Sequence, residues 1–300
     1  MRDRGVWMRD EDVPGWWRSL GLPGLIDVHV HFLPPRVMVK VWDHFEHADE
    51  HYGVAWPVHY KGTDAERVEI LRELGVLAYP GLVYPHKAGM AAWLTEWAGE
   101  FAASTPECVP SGTFYPEPTA VKYVRAALDA GTRIFKVHVQ VGGFDPSDRL
   151  LDPVWGMLAD AGAPVVVHCG SGPVPGRHTG PGPMGSVLAQ HPTLTAVIAH
   201  AGAPEYAEHL ALVRKYPNVH LDTTMVGTPF MNRLAPLPSE VIAGYADHGD
   251  RIVLGSDFPN IPYAYAEQIQ AIESWGLGDD WLRHVVHHNG RQLLGLVDIP

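Results

Sequence analysis

The sequence predicts an α/β protein built as a closed parallel (β/α)8 barrel, and three observations carry that expectation. Short β-branched runs alternate with longer segments of helical period, as β-α units laid on a parallel sheet do. Eight such runs can be counted, the number that closes a barrel. Glycines punctuate the boundaries: Gly75, Gly131 and Gly162 each stand just before a run begins, where a helix commonly ends in a left-handed residue.

In chain order the runs are 25–31 (LIDVHVH), 76–84 (VLAYPGLVY), 108–114 (CVPSGTF), 132–139 (TRIFKVHV), 164–169 (PVVVHC), 194–200 (LTAVIAH), 219–224 (VHLDTT) and 251–258 (RIVLGSDF). Pro110 in the third must sit at a strand start or a bulge, since proline donates nothing to a ladder. Pro80 and Gly81 blur the end of the second. Helices are expected at 64–75, 89–104, 117–131 and 204–217. Two stretches without clear period follow strand ends, 32–62 and the Gly/Pro-rich 170–185. In a β/α barrel the loops after the strands build the active face, so both are expected to wall a pocket.

No linker, low-complexity tract or fixed repeat divides the 300 residues, and the expected organisation is an extension, 1–24, before one barrel domain, 25–300. With 46% apolar residues the chain can bury a core without staples. Lys and Arg total 22 against 34 Asp and Glu. A net charge of -12 argues against nucleic acid or an anionic membrane and for a small-molecule partner. Cys108 and Cys169 form no disulfide framework, which suits a reducing compartment. The opening segment, MRDRGVWMRDEDVPGWWRSLG, has no continuous apolar run, so neither a signal peptide nor a membrane span is expected, and the expected location is the cytoplasm.

Eighteen histidines are the compositional hint of chemistry. On a strand, alternate residues share a face, so Asp27, His29 and His31 point one way. Such an imidazole pair suits a divalent cation, although about one His-x-His is expected by chance at this histidine content. Placement strengthens the signal. His168, His200 and Asp257 each end an apolar run, which puts them on the C-terminal rim where barrel enzymes keep their chemistry. Lys136 and His138 share one face of the fourth run and are candidate substrate-binding groups. Arg177 and His178 in the long loop are candidates for gripping a substrate carboxylate. Asp222 ends the seventh run, with an N-cap role equally open. His44, His47 and His51 fall at helical spacing and read as a solvated helix face before a second metal cluster. His287 and His288 either approach the mouth or lie on the surface. Trp16 and Trp17 are expected to pack under the barrel, with a subunit interface as the other reading.

Taken in order, IDVHVH, FKVH, PVVVHCGSG, VIAHAG, LDTT, IVLGSDFP and NGRQLLG resemble the amidohydrolase superfamily, specifically the amidohydrolase-2 group that includes aminocarboxymuconate semialdehyde and resorcylate-type decarboxylases. The resemblance runs from residue 25 nearly to the end of the chain. It implies the amidohydrolase TIM barrel, with His29, His31, His168 and Asp257 holding one divalent metal and His200 activating water or steadying the transition state. It implies that Lys136 is not the carboxylated bridge of two-metal relatives. Family members often dimerise, so a homodimer is an expected partner. Three histidines and one carboxylate suit zinc first, with manganese, iron or cobalt also accommodated.

The expected function is therefore a metal-dependent hydrolase acting on the carbonyl of an amide, lactone or ester, with Asp257 and His200 as catalytic groups. The alternative is a metal-dependent decarboxylase of an unsaturated or aromatic acid. The resemblance favours hydrolysis, because decarboxylase members often carry glutamate at the first histidine of the pair and this chain keeps His29. A barrel that only binds a ligand is the third reading.

Overall fold

A computed structural model describes residues 8–299. Its strands are β1 (Leu25–Ile26), β2 (Val76–Pro80), β3 (Cys108–Val109), β4 (Ser111–Thr113), β5 (Ile134–His138), β6 (Val165–His168), β7 (Ala196–Ile198), β8 (Val219–Asp222) and β9 (Ile252–Val253). Neighbours pair in parallel, β1 through β3 in one ladder and β4 through β9 in another. Pro110 separates β3 from β4 and splits one expected strand in two, because it offers no N–H to the ladder. The circuit closes at Val30, which bridges both Gly81 and Phe258. The Val28 N–H donates to the Leu254 carbonyl at 2.9 Å and the Asp257 N–H to the His29 carbonyl at 2.9 Å. The fold is a (β/α)8 barrel.

Strand periodicity explains how this barrel makes a site. Ile134, Lys136 and His138 share one face of β5, and Val166 and His168 one face of β6. An apolar plug that includes Ile26, Val28, Ile134, Val166, Val197 and Val253 fills the barrel, leaving the polar members at the C-terminal strand ends. The opposite faces, among them Val165 and Val167, pack outward into the larger core beneath the helices.

The strands are shorter than the hydrophobic runs that predict them, four of them by the most: β1 stops at Ile26, β2 at Pro80, β7 at Ile198 and β9 at Val253. Each run continues into residues that leave the ladder to present side chains at the rim. The stretch 32–62 is likewise more regular than expected, with helices at Pro35–Glu46 and Ala48–Tyr52. The expected helices appear trimmed by a few residues, as Asp64–Leu74, Ala91–Ser104, Ala120–Asp129 and Tyr206–Lys215. Gly75 closes the first of these at φ +80°, and a Cβ there would meet the Trp17 ring at 2.6 Å.

That contact belongs to a helix before the barrel, Val13–Ser19, whose Trp16 and Trp17 are both buried. Trp17 Nε1 donates to the Leu74 carbonyl at 3.1 Å. The two indoles are packing groups. Residues 1–7 of the expected extension lie outside the described residues. Cys108 and Cys169 are buried and unpaired, and no helix among the described residues is long and apolar enough to cross a membrane.

One strand residue carries a stability prediction. The Nδ1 of His220 on β8 is buried without a hydrogen-bond partner among the described residues, and burial, helped by Arg251, pulls the imidazole from its ordinary 6.5 to about 4. The folded value lies below the unfolded one, so the unfolded chain binds the extra proton first. Stability from this group is complete above pH 6.5 and is lost as pH falls toward 4, by about 3 kcal/mol. Urea midpoints of wild type and His220→Gln across pH 4–7 should show a shallower acid slope for the variant. Parallel slopes would refute the assignment.

Candidate metal centre

His29 and His31 leave β1 side by side, with their Nε2 atoms 3.2 Å apart. Asp257, just past β9, brings Oδ1 to 3.0 Å from His31 Nε2 and 3.5 Å from His29 Nε2. Among the described residues these three form the one gathered set of possible metal donors, all ligand atoms lying within 4.8 Å of one another. Backbone conformation aims them. Asp257 sits at φ +69° and His200 at φ +54°, in the left-handed region that costs a non-glycine residue about 1–2 kcal/mol. Gly255 makes room: a Cβ there would fall on Thr224 Oγ1 and come within 2.9 Å of the His29 Cβ.

Hydrogen bonds on the far side of each ring fix which nitrogen carries the proton. His31 Nδ1 lies 3.0 Å from the Leu82 carbonyl, which only accepts, so Nδ1 is the protonated nitrogen. His29 Nδ1 donates to Asp222 Oδ2 at 2.8 Å, with Thr224 Oγ1 at 3.0 Å. Both Nε2 atoms are thereby left with lone pairs directed at each other and at a carboxylate. Three electron-pair donors converge only around positive charge, whether a proton between His31 and Asp257 with the Lys136 ammonium on His29, or a metal ion among all three. A hard or borderline divalent cation fits this donor set.

The electrostatics agree. Burial, reinforced by the Lys136 charge, holds His29 well below the ordinary histidine range. Burial alone would raise the Asp257 carboxyl, but the His31 hydrogen bond and the charges of His31, His29 and His200 hold it well below the usual carboxylate range. Lys136 is buried and offers Nζ to His29 Nε2 at 2.9 Å. Burial draws its ammonium down to about 8, against the pull of Asp222 and Asp257.

The other expected site residues divide. His168 shares the cavity, but its Nε2 donates to the Gly172 carbonyl at 3.2 Å and its ring stacks on His138 at 3.8 Å. It stands outside the three-residue set. His200 packs its ring 5.3 Å from His29 and 4.6 Å from His168, and burial lowers its pKa. His138 accepts from the Val141 N–H as the cap of a short helix, Val139–Gly142. Arg177 and His178 are not among the residues lining the cavity, and His178 faces Asp145 at 3.6 Å. The long loop turns in only its first part, through Gly170, Gly172, Pro173 and Val174. His287 is buried with Nδ1 on the Gly24 carbonyl at 2.9 Å and does not reach the cavity.

Asp222 is the residue whose job the sequence left open. It is buried, and it accepts from His29 through Oδ2 and from the His200 and Thr224 N–H groups through Oδ1, at 2.8 and 3.1 Å. One carboxylate orients two of the site's imidazoles. Tyr84, 5.4 Å from the His31 ring, and Asn260, which accepts from Trp42 Nε1 and through its carbonyl from Trp56 Nε1, also line the cavity. His44 and His51 stack at 4.5 Å on its outer edge, while His47 turns to the Asp43 carbonyl.

A parallel barrel with a His-His-Asp convergence at its C-terminal strand ends defines a class of barrel proteins with a potential metal centre. The sequence profile described as amidohydrolase matches residues 26–296, and the chain belongs to that family, whose members are metal-dependent enzymes. A TIM-barrel protein from Bordetella bronchiseptica is similar over 91% of this chain and 98% of its own, at 21% identity and a TM-score of 0.70. A 2,6-dihydroxybenzoate decarboxylase, crystallised with 2,6-dihydroxybenzoate, covers 92% and 100% at 14% identity and 0.66. A probable 2-pyrone-4,6-dicarboxylic acid hydrolase from Acinetobacter baumannii, with citric acid bound, covers 91% and 100% at 13% identity and 0.62. At these identities the likeness concerns the fold. No curated protein matches the sequence.

Proposed function

We propose that the protein is a metal-dependent hydrolase that cleaves an amide, lactone or ester carbonyl. The convergence of His29 Nε2, His31 Nε2 and Asp257 Oδ1, at the floor of a cavity of about 790 Å³, carries this reading. His29, His31 and Asp257 would hold the metal, zinc by first preference. His168, outside that set but sharing the cavity, would be the fourth donor through Nδ1, which keeps a lone pair with Nε2–H given to Gly172. The bound cation supplies Lewis acidity toward a carbonyl and toward water.

The chain's own groups do the rest. Asp257, ionised at neutral pH, takes the proton of the attacking water and returns it to the leaving group. His200, held neutral by burial, hydrogen-bonds the attacking oxygen or the developing oxyanion. Lys136 places an amine against the floor, where it favours negative charge on the substrate, and His138 borders the same space.

Decarboxylation is the second reading, favoured by that same amine, since a lysine beside a metal also suits a substrate carboxylate. A structural relative is itself a decarboxylase. The two are separated by incubating metal-loaded protein with a panel of esters, lactones, amides and aromatic acids. The expected result is release of acid from a carbonyl substrate without bicarbonate. Bicarbonate release without hydrolysis would replace the first reading with the second.

A further inference from the structure

We infer that the substrate is a mainly apolar molecule larger than one aromatic ring, carrying its carbonyl or carboxylate group at one end. This rests on the proposed reading of the floor and concerns the rest of the cavity. A cavity of about 150 Å³ accommodates benzene, and this one measures about 790 Å³, in the range that holds ligands of drug size. Its polar groups are not spread evenly. Buried His29, His31, Lys136 and His200 gather at the floor with the partly buried Asp257.

Between floor and mouth the wall is mainly apolar, built from Leu33, Val41, Phe45, Trp56, Met231 and Leu234. Trp56 is pinned there by its bond to the Asn260 carbonyl and by stacking on Phe45 at 5.2 Å. The mouth is polar through the exposed residues Lys40, His44, Glu50, His51 and His86, and along the wall the polar groups are Tyr52, Tyr84, Gln140 and Asn260, the last with its amide oxygen and its carbonyl already taken by Trp42 and Trp56. The lip adds an independent sign. Val141 and Val174 are 43% and 37% exposed there, two of only five large apolar side chains exposed among the described residues. Gln140 Nε2 donates to the Val174 carbonyl and ties the two sides of the lip together. A small, fully polar substrate would leave this wall in water. An alkyl or arylalkyl body covers it.

The test is a chain-length series. Metal-loaded protein is titrated calorimetrically with butanoate, hexanoate, octanoate and decanoate, and with benzoate as the one-ring probe. Affinity should rise about fourfold per methylene, equivalent to about 0.8 kcal/mol, and level off once the tail reaches the polar mouth. Octanoate should bind far more tightly than benzoate. In Val41→Glu, a change at a half-buried position of the wall, the gain in affinity with chain length should collapse. Equal affinity across the series, binding of none of these acids, or a Val41→Glu protein that keeps the full length dependence would each overturn the inference. Calorimetry needs no turnover, so absence of hydrolysis in the substrate panel is a separate result that bears only on the proposed reaction.

Discussion

Asp257→Asn should lower kcat/KM by about 10³- to 10⁴-fold and leave the purified protein with less than about a tenth of an equivalent of metal. The substitution is chosen on backbone grounds. Asp257 sits at φ +69°, a conformation asparagine adopts more readily than alanine, so the fold should survive and the far-ultraviolet spectrum should match wild type. What changes is charge. His31 Nε2 then faces a neutral amide instead of a carboxylate at 3.0 Å, and the carboxylate that accepts the proton of the attacking water is gone. His31→Ala should lose metal by a different route, as one of the three converging donors. His168→Ala tests the fourth: a protein that binds metal at full stoichiometry would assign His168 to the substrate side. Metal analysis beside steady-state kinetics reads all three. An Asp257→Asn enzyme with full metal content and wild-type turnover would remove the basis of the proposed function.

The barrel was legible because its signal is local. Each of the eight hydrophobic runs contains a strand, and glycines such as Gly75 mark helix ends by a backbone preference that sequence displays directly. What hydropathy does not display is where a run leaves the ladder. His200 and Asp257 continue apolar segments in sequence, yet both adopt positive φ and turn their side chains to the rim. The same runs were therefore read too long at the ends where the chemistry sits.

The meeting of His29, His31 and Asp257 could be anticipated because strand alternation and strand-end position together fix a side chain's direction. Loops carry no such rule. Arg177 and His178 were placed near the mouth on the strength of a loop that begins at a strand end, but only residues 170–174 of that loop turn inward. In the 32–62 stretch, consecutive prolines and scattered charges masked an amphipathic helix, Pro35–Glu46, whose Val41 and Phe45 wall the cavity. Asp222 was visible as a strand-end acid, but its partner His29 lies 193 positions away, and nothing local separates an orienting carboxylate from a helix cap.

Asp222→Asn should therefore be nearly as damaging as loss of a ligand, for a reason of tautomers. The carboxylate accepts from His29 Nδ1 at 2.8 Å while its other oxygen holds the His200 and Thr224 N–H groups. An amide in the same place has one acceptor. If its oxygen stays with the two backbone donors, its NH2 faces His29 Nδ1, and that nitrogen must become the acceptor. The proton moves to Nε2, where the lone pair aimed at His31 and Asp257 disappears. Metal affinity should fall at least about 10- to 100-fold and turnover by about 10³- to 10⁴-fold, as when the wrong tautomer is imposed on a catalytic imidazole. The stability cost should stay near 1–2 kcal/mol, because the buried N–H groups keep a partner. Asp222→Ala strands those groups and should cost about 3 kcal/mol or more. The decisive reading is the nitrogen-15 spectrum of the metal-free proteins: His29 should carry its proton on Nδ1 in wild type and on Nε2 in Asp222→Asn. An unchanged tautomer with metal affinity within about threefold of wild type would mean that Asp222 supports the fold and nothing more.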